Sequence, residues 1–229
     1  MLKGQLPLSV VISSVILPAL LCLGYFFLRP MSGDFLAYLL WSTSRQAHPT
    51  AGRVTVGDAD IHYVCYGKGP ALLLLHGGLS NRLSWFSQIP WLVETGHQVV
   101  LLDTRGHGDS GLGRSELTYR LLAADAVAVL DRLQLHRVDV IGWSDGGNTA
   151  LTLGRYWPQR IHRIVAISAN FNPSGLTAEA RREAREETGG LNYWFKRWWT
   201  GAGERWRELE VRVKKMWLHG PTLQASDLR

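Results

Sequence analysis

The chain has 229 residues, of which 46% are hydrophobic and 19% charged, with a net charge of +6 and a pI near 9.6. This composition excludes a disordered or fibrous chain and leaves room for one domain of about 180 residues beside an apolar amino-terminal segment. The cations are dispersed and no nucleic-acid-binding motif occurs, so no nucleic-acid partner is expected and the charge instead favours an anionic membrane surface.

In chain order, the first signal is Leu6 to Leu28, a run of 23 residues without a charge. At about 1.5 Å per residue such a helix reaches roughly 35 Å, enough to cross a hydrocarbon core of about 30 Å with some tilt. A cleaved secretory signal would have an apolar region of only about 7 to 15 residues and a small-residue site at its end, which is absent before Arg29. Residues 1–30 are therefore read as a single-pass membrane anchor and 31–52 as a juxtamembrane linker. Lys3 on one side is balanced by Arg29 and Arg45 on the other, so the side of the membrane stays open. Phe35, Leu36, Tyr38, Leu39, Leu40 and Trp41 then form an apolar patch with two readings, a helix at headgroup level or one packed on the following domain. Cys22 falls in the anchor and Cys65 in a predicted strand, a pair that makes no sensible disulfide.

Arg53–Val56 and Ala59–Tyr66 alternate about a Gly57, Asp58 turn and predict an antiparallel hairpin. Ala71–Leu75, Gln98–Leu102 and Val138–Ile141 are continuous apolar runs, as expected of parallel strands buried on both faces. Each ends in a glycine-bearing turn: His76, Gly77, Gly78; then Asp103 to Ser110; then Gly142, Trp143, Ser144, Asp145, Gly146, Gly147. Glu116–Leu133 has apolar residues at helical spacing, and Asn148–Tyr156 reads as a helix. Ile161–Ser168 predicts a sixth strand. After Phe171 the composition changes, with a break at Pro173, Ser174, Gly175, a charged helical stretch over Thr177–Glu187, and then the aromatic residues Tyr193, Trp194, Phe195, Trp198, Trp199, Trp206 and Trp217. The domains read as a core over 53–170 and a helical cap over 171–229. The cluster of Arg181, Arg182 and Arg185 among Glu179, Glu183, Glu186 and Glu187 reads as a solvated face.

Strand, tight turn and helix with Ser144 at the apex is the arrangement that exposes a nucleophile. Small residues two before and two after the serine keep strand and helix from clashing, and the next backbone N–H faces any oxyanion formed there. A lone Gly-x-Ser-x-Gly arises by chance in roughly one chain of this length in ten. Its place after the third of three buried strands is far more specific, because ligand sites of open α/β sheets lie at the strand carboxyl ends.

The order HGG, DTRGHGDS, GWSDGG resembles the α/β-hydrolase fold family over about Arg53 to Asn170, and the GWSDGG turn is similar to that of small serine esterases and lactonases. The resemblance implies a mostly parallel sheet flanked by helices, with a helical cap over the serine, whose aromatic residues either line an acyl pocket or hold the cap together or lie at a membrane surface. It implies Ser144 as nucleophile and the N–H groups of Asp145 and Gly78, with Leu79 as a further candidate, as the oxyanion hole. It implies structural roles for His76 and His107. No metal and no cofactor are expected; the substrate class is a small carboxylic ester or lactone.

The family pattern departs at the other end. There the acid follows a seventh strand and the histidine an eighth, whereas Gly220 to Arg229 resembles the stretch just before a seventh strand. The fallback position for the acid, after strand six, holds Asn170, whose amide cannot balance an imidazolium. His219 follows the serine in sequence yet precedes the position of the family histidine, and His48, His62, His97, His136 and His162 read as ordinary boundary residues. The resemblance thus implies a C-terminally incomplete hydrolase, with impaired turnover because acid and base are absent, and with the sixth strand as a bare edge open to self-association. The alternative is a non-catalytic binding protein that keeps the serine turn only as architecture. An epoxide or haloalkane hydrolase would need a carboxylate where Ser144 stands.

Overall fold

The computed structural model describes residues 34–44 and 47–228, and the expected membrane anchor lies outside them. No helix among the described residues is long and apolar enough to cross a membrane.

Six strands form one sheet: β1 (Thr50–Val56), β2 (Ala59–Tyr66), β3 (Ala71–Leu75), β4 (Gln98–Leu102), β5 (Val138–Trp143) and β6 (Ile161–Ile167), in the spatial order β1-β2-β4-β3-β5-β6. The β1-β2 hairpin is antiparallel and joins β4 antiparallel, while β4, β3, β5 and β6 run parallel. The helices are α1 (residues 34–42), α2 (Ile89–Glu94), α3 (Tyr119–Arg132), α4 (Asp145–Tyr156), α5 (Ala178–Glu183), α6 (Gly190–Trp199) and α7 (Trp206–His219).

The alternation of side chains along a strand divides the core in two. Leu73, Leu75, Val100 and Val140 face α3 and α4, where Ala126, Val129, Leu130, Ala150 and Leu153 meet them. Leu72, Leu74, Val99 and Leu101 point the other way, to Trp85, to Ile89 and Leu92 around α2, and to Tyr38 and Trp41 of α1. Burying such a side chain stabilises the fold by about 1.5–3 kcal/mol each, which is why both faces read as uninterrupted apolar runs. Helix α1 therefore combines its two readings: Tyr38 and Trp41 are packed on the domain, while Phe35, Leu36, Leu39 and Leu40 stay exposed. A third cluster joins α7, through Trp206, Leu209, Val213 and Met216, to Leu79, Leu112, Leu117, Tyr119 and Leu122 at the strand carboxyl ends.

Several boundaries differ from the sequence expectation: β1 begins at Thr50 rather than Arg53, inside the stretch read as linker, which also holds α1, and β5 runs on to Trp143. Helix α3 begins at Tyr119 rather than Glu116, because the Thr118 hydroxyl accepts from the Leu121 N–H at 3.1 Å and caps the helix there. The charged stretch after Thr177 is helical only to Glu183, with Thr177 accepting from Ala180 at its start. Strand β6 stands at the end of the sheet and pairs only with β5 among the described residues, and Val165 and Ile167 on it are exposed.

Candidate active site

Ser144 sits between β5 and α4 at φ 53°, ψ −118°, a left-handed backbone that costs a non-glycine residue of order 1–3 kcal/mol. The surroundings hold it there. Its N–H donates to Ile167 O at 2.8 Å, and its own carbonyl accepts the first bond of α4 from Asn148 N at 3.0 Å. The flanking glycines are required by space: a Cβ on Gly142 would overlap the Gly146 backbone, and one on Gly146 would overlap the Leu75 carbonyl. The turn after β3 lies against the serine turn, since a Cβ on Gly77 would come within 3.4 Å of Ser144 Cβ and one on Gly78 would overlap the Asp145 carboxylate.

Of the three N–H groups expected to face an oxyanion, Leu79 is removed by the structure: its N–H donates to His107 Nε2 at 3.1 Å. Those of Gly78 and Asp145 make no hydrogen bond among the described residues. Ser144 Oγ likewise has no hydrogen-bond partner there. Ser144 and Asp145 line a cavity of about 230 Å³ together with Tyr119, Asn170, Glu183 and Trp217. Its walls carry two carboxylates and no cationic side chain. On the other side of Tyr119 a larger cleft of about 520 Å³ has Arg120, Lys215 and His219 on its walls. Ser144 is not among the residues lining that cleft.

The Asp145 side chain is the feature that sequence reasoning missed. It is buried, and it accepts from Tyr119 OH at Oδ1 (2.8 Å) and from Trp217 Nε1 at Oδ2 (2.6 Å). Burial pushes its pKa up to about 6, against the pull of the Trp217 and Tyr119 hydrogen bonds. Burial and the neighbouring Asp145 charge push the Tyr119 phenol well above its ordinary range, so it remains a donor. These partners lie 26 and 72 residues from Asp145 in the chain, and no periodicity or spacing marks them.

His76 and His107 brace backbone, as the resemblance implied. Nε2 of His76 accepts from Thr104 N at 3.0 Å, which places its proton on Nδ1, facing Gly77 O at 2.7 Å. By the same logic His107, accepting from Leu79 N, carries its proton on Nδ1 toward Arg105 O at 2.9 Å. Burial lowers both pKa values, that of His107 to about 3, and keeps both rings neutral. The turn they stabilise is fixed further by Arg105, which is bidentate to Asp125 (2.6 and 2.9 Å) and reaches Asp58 at 2.7 Å. His219 bonds Lys215 O in its own helix, and Asn170 is held in a reciprocal pair with Asn148 (2.8 and 3.0 Å).

The readings of the cap aromatics divide: Trp217 lines the cavity, whereas Tyr193, Trp194, Phe195, Trp198, Trp199 and Trp206 are absent from its wall. Tyr193 and Trp206 pack within the cap, and Trp199 donates to Ser80 Oγ. His62, Asp103 and Asp109 approach one another closely enough to share an ion, yet the Arg82 guanidinium already bridges the two carboxylates.

A strained serine between a parallel strand and a helix, at the carboxyl end of a sheet in this order, defines a hydrolase architecture. The model of the alpha/beta hydrolase fold matches residues 70–225, and the chain belongs to that family. Epoxide hydrolase B of Mycobacterium tuberculosis is 37% identical over 111 residues, 48% of this chain and 31% of that protein. Bifunctional epoxide hydrolase 2 of Sus scrofa is 32% identical over 116 residues, 50% of this chain and 21% of that protein. The solved structure of Est816, described as an N-acyl homoserine lactone degrading enzyme, is similar at 30% identity and TM-score 0.55, over 59% of this chain and 52% of that one. The chain thus spans between a fifth and about half of the lengths of these relatives.

Proposed function

We propose that this protein hydrolyses a small carboxylic ester or lactone through an acyl-serine formed at Ser144. The observation that carries the reading is the strained Ser144 facing a cavity beside two unpaired N–H groups, those of Gly78 and Asp145. The alcohol attacks the acyl carbon, its proton ends on the departing alkoxide or lactone ring oxygen, and water then cleaves the acyl-serine, returning a proton to Ser144 and releasing the acid. Donors aimed at the tetrahedral oxygen act most strongly in the transition state. The Asp145 carboxylate on the wall disfavours an acyl group that itself carries a negative charge, while Glu183 is paired with Lys196. Est816, named for degrading an acyl lactone, supports this substrate class.

The relatives named epoxide hydrolases favour a second reading, which the chemistry of the apex residue opposes. A carboxylate that opens an epoxide leaves an ester that water can cleave, whereas a serine would leave a stable ether. A serine alcohol needs a base to attack well, and no imidazole or carboxylate hydrogen-bonds Ser144 Oγ among the described residues. We therefore read acylation by these residues alone as slow. The same reading takes residues 6–28 as a membrane anchor, since 23 uncharged residues suffice to span a bilayer. A panel of neutral and anionic p-nitrophenyl esters and acyl lactones tests the proposal. Ser144-dependent release favouring neutral substrates is expected; folded protein with no Ser144-dependent turnover or acylation turns the reading to a non-catalytic binding protein.

A further inference from the structure

Helix α6 buries none of its residues, although half of them are aromatic. Leu191, Trp194, Phe195 and Trp198 are 88%, 64%, 58% and 72% exposed, at the i, i+3, i+4, i+7 spacing that places them on one face. The back and flank of the helix are committed to the protein: Tyr193 meets Trp206 edge-on at 6.4 Å, Trp199 Nε1 donates to Ser80 Oγ at 3.0 Å, and Asn81 donates to the Trp199 carbonyl. The exposed face is thus a fixed feature, held outward by contacts on its back. The helix contains Lys196 and Arg197 and no acid. Lys196 is paired with Glu183, but Arg197, which donates to Tyr193 OH at 3.3 Å and stands over the Trp194 ring at 5.8 Å, has no carboxylate partner among the described residues.

The other exposed apolar helix is connected to this one. Residues 80–86 bond Trp199 at one end and, through Phe86, pack edge-on against Phe35 of α1 at 5.4 Å at the other. Helix α1 shows Leu36, Leu39 and Leu40 to solvent and follows the uncharged run of residues 6–28. Exposed apolar surface on a helix face of this kind marks an interaction site. Tryptophan, phenylalanine and leucine on one face with lysine and arginine beside them is the composition of a helix lying in a membrane interface.

We propose that the exposed face of α6 docks on a lipid bilayer containing anionic phospholipid, with the outer face of α1 as the second point of contact. Trp194 and Trp198 enter the headgroup layer, and Arg197 meets lipid phosphate. The docking goes beyond the proposed hydrolysis and does not depend on it, although it draws its choice of occupant partly from the reading of residues 6–28.

The full chain, placed in nanodiscs of phosphatidylcholine with about 30% phosphatidylserine, carries a nitroxide at a single introduced cysteine after Cys22→Ser. Labels on Leu191→Cys and Trp198→Cys are expected to be reached by oxygen in preference to a nickel chelate. A label on Lys68→Cys, in the exposed loop before β3, is expected to show the reverse. Labels at 191 and 198 that match the one at 68 would overturn the proposal. So would labels shielded from both reagents, which would mean cover by protein, either a second copy or the amino-terminal segment. Release of unlabelled protein from native membranes by alkaline carbonate, with the α6 labels still lipid-facing, would remove the span and leave the docking. Changing Leu191, Trp194 and Phe195 to serine together is expected to remove the oxygen preference of the label at 198 while thermal unfolding stays cooperative.

Discussion

The core around Ser144 and the cap above it are built on different terms. In the core, short turns between buried strands must pass through a few fixed points, and small residues stand where no Cβ fits: Gly142, Gly146 and Gly78 each have backbone or a carboxylate in the space one would occupy. In the cap, α5 and α6 bury no residue, with α6 held by the hydrogen bonds of Trp199 with Ser80 and Asn81, while α7 buries Trp206, Leu209, Val213 and Met216 and donates from Trp217 to Asp145. The core positions its chemistry through the backbone, the cap through side chains. Substitutions in the first are expected to act on folding, and those on the outer face of the second to leave folding nearly unchanged.

The sharpest break in that comparison is at Gly146. A side chain there must displace the Leu75 carbonyl, so Gly146→Val is expected to cost more than about 4 kcal/mol and to prevent folding, as read by soluble yield and urea unfolding. Next comes pH. With its folded pKa near 6 against a usual 3.8, Asp145 contributes stability that is complete below the lower value and is lost as pH rises through the higher. Urea unfolding from pH 4 to 7 is expected to show Asp145→Asn gaining on the parent by up to about 3 kcal/mol across that window, offset by whatever the amide loses in hydrogen bonding. Trp217→Phe removes one of two donors to a buried carboxylate and is expected to cost about 1–3 kcal/mol in unfolding free energy while moving the Asp145 titration upward. Smallest is Trp194→Ser on the outer face of α6, expected to change thermal stability by less than about 0.5 kcal/mol.

Much of the core was legible because its residues announce a backbone requirement. Leu72 to Leu75 are apolar without interruption since each alternates into one of two cores, and the glycines about Ser144 have a single steric reason to be there. The two histidines in the turns were readable as braces for the same reason. The site's electrostatics were hidden. Tyr119 looked like the first turn of an amphipathic helix and Trp217 like one more aromatic of the cap, and only the folded chain brings them to the two oxygens of Asp145. Leu79 N–H also looked free until His107 was seen to accept from it. Long-range pairs of this kind carry no local pattern.

The central claim is that Ser144 is a nucleophile presented by this turn. The most direct measurement is the intact mass of the 229-residue protein after exposure to a fluorophosphonate, beside that of Ser144→Ala. The account predicts one adduct per chain, mapping to the peptide that contains Ser144, forming slowly at neutral pH, and absent from the variant. A folded protein that takes up no adduct, or an adduct that persists in Ser144→Ala, would contradict it.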